Sequence, residues 1–200
     1  MATAKHFIGD GGTFKGIDKG DTRISEGGLK NIHGTPYYSA FEACVQSVMA
    51  SFNSWNGVKM HGHEYLLTDV LRDQMGFNGL VVGDWNGHGE VPGCTNANCP
   101  ESLNAGVDIY MAPDEWKELY TNTVRAVKSG DISEDRLDDA VRKILTVKER
   151  LGMLDGRKPH EYENYVGNIE HRQLAREAVS KSLVLPVSYT HQTLPTIDPV

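Results

Sequence analysis

Short apolar runs alternate with longer amphipathic stretches along most of this chain, and that alternation restricts the fold more than any other feature. Residues 2–8 form the first run and close in Gly9-Asp10-Gly11-Gly12. Residues 45–52 form the second, closed by Asn53-Ser54-Trp55-Asn56-Gly57. The third is Leu80-Val81-Val82 between Gly79 and Gly83, and the fourth is Gly106-Val107-Asp108-Ile109-Tyr110-Met111-Ala112. Runs this short, rich in β-branched residues and bounded by turn signals, read as buried strands. The stretches between them have helical spacing. Pro36 sits at a first helical turn leading into Ala40-Phe41-Glu42-Ala43. Leu66, Leu67, Val70, Leu71 and Met75 recur on one face over 63–75, which turns Thr68-Asp69 and Arg72-Asp73 to solvent, and Gly76 stops the helix. Pro113 opens a helix carrying Trp116, Leu119, Tyr120, Val124 and Val127, which ends near Gly130. Ser133 opens another, with Glu134 and Asp135 suited to its positive end and Leu137, Val141, Ile144, Leu145 and Leu151 continuing an apolar stripe to Gly152. Strand and helix alternating four times predict the α/β class, with a parallel sheet and crossover helices. Four strands do not close a barrel of eight, so the fold is either a small open sheet or about half of a (β/α)8 barrel.

The flanking segments differ in kind. Residues 13–28 are polar and aperiodic and read as a long surface loop, a type that is usually functional. Residues 155–169 fit an interdomain linker, after a first domain of 1–154. Residues 170–185 begin a second domain, with a helix to Ser182 and a strand start at Leu183-Val184-Leu185. Residues 186–200, PVSYTHQTLPTIDPV, resemble a translated sequencing-adapter segment and stand outside the fold as a non-native tail. The chain opens without a secretory leader, so Met1 need not be a natural start.

Charge narrows the partners. The net charge of −7 disfavours nucleic acid and anionic membranes, which need a basic face, and suits a neutral substrate. The mean hydropathy is −0.42, and no run approaches the ~18 apolar residues of a spanning helix. Of the three cysteines, Cys94 and Cys99 share a turn-rich loop and are either a small disulfide or two free thiols. Neither they nor Cys44 has zinc-finger spacing.

The third strand runs out at Gly83-Asp84-Trp85. Chemistry in barrels and open α/β sheets gathers where strands end, so Asp84 is the candidate catalytic acid and Trp85 a platform for a sugar ring. The alternatives are that Asp84 caps a turn and Trp85 packs beneath it. Lys5 and His6 sit where the first strand reaches its glycine-rich loop, as donors to a ligand or as a solvated lysine and a satisfied core histidine.

Four motifs occur in order: KHFIGDGGT from Lys5, SFNSWNGVKMHGHEYLLTDVLRD from Ser51, GFNGLVVGDWNG from Gly76, and NAGVDIYMAP from Asn104. Together they resemble glycoside hydrolase family 3, chiefly its bacterial β-glucosidases and exo-β-glucanases, over about residues 2–185. The resemblance implies a retaining hydrolase of terminal β-D-glucosyl residues, exported to the periplasm or beyond, with no cofactor and no metal. It implies that Asp84 is the nucleophile, kept ionised by cationic or donating neighbours, and that Lys5, His6 and Trp85 bind substrate. A second carboxyl, acid then base, would lie about 5–5.5 Å away. The resemblance, in its glucosidase branch, implies that it comes from a following domain; Glu26, Glu42, Glu64, Glu90, Glu101 and Glu115 read as solvated or loop acids. Asp10 reads as a loop-stabilising acid, and Trp55 and Met60 as lining the cleft or packing. Phe52 stands where many members carry a tyrosine. The loop after Lys5-His6 lacks the His of the family's N-acetylglucosaminidases, which favours a glucosidase. The resemblance also implies that a first barrel half and a later domain belong to the parent protein, and that this chain alone is nearly inactive. Three rivals remain: a metal-dependent hydrolase using His6, His61, His63, His88 and Asp84; an aldolase-like barrel with Lys5 as Schiff base; and a non-catalytic carbohydrate-binding fragment.

Overall fold

The computed structural model describes residues 1–156 and 166–183. The chain divides into two units, Met1–Arg157 and Lys158–Val200. The linker expected over 155–169, the strand start at Leu183-Val184-Leu185 and the tail of 186–200 fall largely or wholly outside the described residues. The second unit contains helix α6 (Ile169–Ser182), whose Asn168 cap accepts the His171 N–H at 2.8 Å.

The first unit is built on four parallel strands, β1 (Thr3–Phe7), β3 (Ser47–Ala50), β6 (Leu80–Trp85) and β7 (Ile109–Met111). They lie side by side as β1-β3-β6-β7, in chain order and without reversal. That is barrel winding; a doubly wound sheet reverses its strand order at a switch point. All four expected strands are present. The pairing does not stop at Gly83 as expected: it reaches Trp85, which pairs with Met111 after an irregularity beyond Val82.

The expected long loop of 13–28 is a correction. It holds one 3-10 turn, Phe14–Gly16, and β2 (Asp21–Thr22), which joins β4 (Ser54–Trp55) and β5 (Val58–Lys59) in a second small sheet. Helix α1 (Glu26–Gly28) then starts early and runs through a π segment, Leu29–Gly34, into α2 (Thr35–Glu42). Pro36 therefore lies in a continuous helical stretch rather than opening one.

The remaining crossovers follow their patterns. Tyr65–Gln74 is a π-helix whose Leu66, Leu67 and Leu71 are buried. Its Arg72 does not face solvent; it turns inward to Asp108 at 2.6 Å. Helix α3 (Pro100–Asn104) leads to β7, and α4 (Trp116–Ser129) ends at Gly130, whose φ of 86° suits glycine. Ser133 caps α5 (Glu134–Arg150) by accepting the Arg136 N–H at 3.1 Å. The buried residues of α4 are Leu119 and Ala126, and those of α5 are Ala140 and Val147. Trp116, Tyr120, Val141 and Leu145 stay exposed, so the apolar stripes read from sequence are wider than the faces this unit covers.

The core lies between the sheet and these helices. Phe7, Val48, Ala50, Met60, Leu67, Leu71 and Val81 are fully buried, each large side chain contributing about 1.5–3 kcal/mol by leaving water. Tyr37 meets Phe7 edge-on at 4.9 Å, and Phe41 stacks on Phe77 at 5.0 Å. Among the described residues no helix is long and apolar enough to cross a membrane.

Candidate active site

Parallel strands deliver their carboxyl ends to one edge of the sheet, and there residues 78 positions apart meet. His6, at the end of β1, places Nε2 3.4 Å from Asp84 Oδ2 on β6. Its other nitrogen, Nδ1, is 3.4 Å from Asp10 Oδ2 in the following turn. The imidazole thus spans two carboxylates, those of Asp84 and Asp10. Asp84 is held from its other side as well. The Trp85 N–H donates to Oδ1 at 2.7 Å, which fixes the carboxylate rotamer and leaves Oδ2 facing His6. Its side chain is 16% exposed, shielded yet reachable.

Lys5 is exposed and lines, with His6, Asp10, His33 and Tyr37, an open cleft of about 480 Å³. Trp85 is 59% exposed and is not buried beneath a turn by the described residues. Trp55 donates its Nε1–H to the Ile24 carbonyl at 2.8 Å, and Met60 is fully buried, so both pack.

Two loops and a hairpin converge on Glu90. Lys19 reaches Glu90 at 2.9 Å, and Lys59 approaches the same carboxylate at 3.5 Å. Lys59 also donates to the Lys19 and Phe52 carbonyls, both at 3.1 Å. The Lys19 ammonium lies 4.4 Å from the Phe52 ring centroid, a cation–π contact at the position that lacks a hydroxyl. The Lys19 hydrogen bond, opposed by partial burial and aided by the charges of Lys19 and Lys59, holds the Glu90 carboxyl below its ordinary range.

The histidines do not converge as a metal site would require. His63 lies beside Trp55, with ring centroids 5.6 Å apart, and His88 Nε2 hydrogen-bonds the Asn96 carbonyl at 2.8 Å. Burial lowers both pKa values. Among the described residues the one cluster with metal-ligand spacing is Cys94, Cys99 and Glu101, and its two sulfurs are joined as a disulfide. Cys44 is free and exposed.

His61 is the residue that sequence reasoning misplaced. It is 2% exposed, and its Nε2 accepts the Asp84 backbone N–H at 2.8 Å. Its neighbours in sequence suggest a chelator; its partner is a main-chain group, which no motif announces.

At this edge of the sheet a strand-end carboxylate stands beside an imidazole and next to an exposed indole, and the imidazole also lines the cleft that holds Lys5. Residues 1–147 match the glycosyl hydrolase family 3 N-terminal domain, and the chain belongs to that family. Its four-stranded sheet with crossover helices is accordingly part of a TIM-type barrel. The chain is 35% identical to a β-xylosidase of Formosa agariphila, covering 92% of this chain and 27% of the relative. It is 34% identical to a periplasmic β-glucosidase of Salmonella typhimurium, covering 92% of this chain and 25% of the relative. The crystal structure of an exo-1,3/1,4-β-glucanase from a Pseudoalteromonas species superposes with a TM-score of 0.86 at 52% identity, over 92% of this chain and 24% of that one. The chain thus spans about a quarter of the length of the proteins it matches.

Proposed function

We propose that this chain supplies the nucleophile-bearing part of a retaining β-glucosidase or exo-β-glucanase acting on terminal, non-reducing β-D-glucosyl residues. The observation that carries it is the meeting of His6 and Asp84 at the carboxyl end of the sheet. Asp84 attacks the anomeric carbon through Oδ2 while the glycosidic bond breaks. The departing oxygen takes a proton from the acid/base carboxyl, and a glycosyl ester forms. Water, deprotonated by that same carboxyl, then attacks the anomeric carbon and frees Asp84. Lys5 and His6 donate to ring hydroxyls, contacts worth most where they tighten in the transition state. Trp85 offers its face to the unit that leaves.

The acid/base lies in sequence beyond this chain, in the domain that residues 170–185 begin, after a linker at 155–169. The rest of the barrel precedes residues 1–154. Relatives named β-glucosidase and exo-β-glucanase support this substrate, and the periplasmic relative supports export. The β-xylosidase relative makes a pentose the competing substrate.

Two experiments test the proposal. Trapping the complete enzyme with a 2-fluoro-β-glucoside should label the peptide containing Asp84; a label elsewhere refutes the assignment. Purified chain 1–200 should turn over an aryl β-glucoside at a rate indistinguishable from buffer, because β1 and β7 are open sheet edges among the described residues and the acid/base is assigned to the following domain. Clear turnover by the isolated chain would overturn the division of labour.

A further inference from the structure

We propose that His61 is the positioning residue of the nucleophile: by accepting the Asp84 N–H it fixes the direction in which the carboxylate leaves β6. This rests on the assignment of Asp84 above.

The backbone geometry creates the need. β6 pairs with β3 only through Val82, opposite Met49, and its pairing with β7 jumps from Val82–Ile109 to Trp85–Met111. Gly83 and Asp84 fall in that irregularity, where a strand bends and re-aims its side chains. An N–H in such a gap has lost its ladder partner, and leaving it unmet in a half-buried site is costly. His61 Nε2 meets it at 2.8 Å. The partner comes from the 3-10 turn Met60–Gly62, so it is fixed by a different element from the one it steadies.

Two glycines make room for the ring. A Cβ at Gly87 would lie 2.3 Å from His61 Nε2 and Cε1, and a Cβ at Gly83 would lie 3.4 Å from Cδ2. The Gly83-Asp84-Trp85-Asn86-Gly87 segment therefore closes around the imidazole, and an alanine at 87 would expel it. Phe52 flanks the ring with centroids 5.9 Å apart.

The bond also sets a protonation state. Because Nε2 accepts, the ring proton sits on Nδ1, which is left to serve the hydrogen bond to the Ser51 backbone. The charged and titratable groups facing the ring are Asp84 on β6, His88 in the turn after it, and Lys59 on β5. Burial, with smaller help from His88 and Lys59, outweighs Asp84 and the Ser51 hydrogen bond and pushes the pKa down to about 4. Above that pH His61 is a neutral acceptor. Below it Nε2 carries a proton and faces the Asp84 N–H donor to donor, so the strut fails on the acid side.

The test uses the complete enzyme and reads turnover of an aryl β-glucoside, the rate of 2-fluoro-glucoside labelling, and melting temperature. His61→Leu should lower kcat and labelling about 10²-fold, as expected for a reacting group displaced by about 1 Å, with KM within about threefold. His61→Gln, whose Oε1 reaches the Nε2 position, should recover at least a tenth of wild-type kcat, whereas the shorter His61→Asn should not. With no ring to titrate, His61→Gln should also lose one proton from the acid limb of its labelling profile. Equal kcat in His61→Leu and wild type would reduce His61 to packing and overturn the inference. So would equal losses in the Gln and Asn variants, which decides the matter even if the Leu variant does not fold. A wild-type label on a residue other than Asp84 would instead overturn the nucleophile assignment, so the two failures are distinguishable.

Discussion

Asp84→Ala should lower kcat of the complete enzyme on the order of 10⁴-fold or more, comparable to losing the attacking group of other covalent catalysts. The melting temperature should stay close to wild type. Asp84 contributes little to packing: its carboxylate meets the Trp85 N–H and His6, both at the open end of the sheet. The loss should be partly restored by azide with an aryl β-glucoside that has a good leaving group. The small anion enters the space the carboxylate left and attacks the same face of the anomeric carbon. The product should be the α-glucosyl azide, with inverted configuration. An aspartate that merely capped a turn would show none of this: its alanine variant would lose stability, keep most of kcat, and ignore azide. His6→Ala should fall well short of the Asp84 loss, because it removes a donor to substrate and a neighbour of Asp84 but no bond-forming atom. A His6 variant as inactive as Asp84→Ala would mean that the two groups act as one unit.

Much of this site was legible because its residues sit at strand ends, and strand ends are marked by glycine. Lys5 and His6 precede Gly9, and Asp84 follows Gly83, so the same rule found both sides of the contact. Local signals were equally clear at Ser133 and Gly130, where capping depends on neighbours in sequence. What escaped depends on distant partners. β2 is two residues long and owes its existence to Ser54 and Trp55, so residues 13–28 carry no periodicity of their own. The helix beginning at Glu26 passes through a π segment, whose wider turn blurs the usual spacing. His61 was visible only as a histidine, since a main-chain N–H in a strand irregularity leaves no trace in side-chain chemistry. Arg72 was placed toward solvent by its helical register, because its partner, Asp108, lies 36 residues later inside an apolar run.

That last misreading points to the largest effect on stability. Asp108 has a fully buried side chain, with Arg72 at 2.6 Å on Oδ2 and Arg136 at 2.9 Å on Oδ1. The Val81 N–H adds a third bond to Oδ2 at 2.8 Å, and Lys143 stands 3.9 Å away. The two guanidiniums also donate to backbone carbonyls, Arg72 to Gly79 and Arg136 to Leu103 and Val107. One carboxylate therefore ties the π-helix, the starts of β6 and β7, and α5 together. Asp108→Asn should destabilise the fold by about 3–5 kcal/mol, since it leaves the largely buried Arg72 without its counter-charge and Arg136 with only the half-exposed Asp139. That is a large share of the roughly 5–15 kcal/mol that holds a domain together. Asn can still accept the Val81 N–H, but its amide NH₂ then confronts a guanidinium. Asp108→Ala should be no better, as it also orphans that N–H. Denaturant unfolding of the complete enzyme measures the loss as a lower midpoint in the transition that reports the barrel. Asp108 stands at the amino-terminal end of the sheet, opposite Asp84, so the folded fraction of Asp108→Asn should keep kcat within a few-fold of wild type. A variant that stayed stable but lost turnover would place Asp108 in the chemistry instead of the clamp.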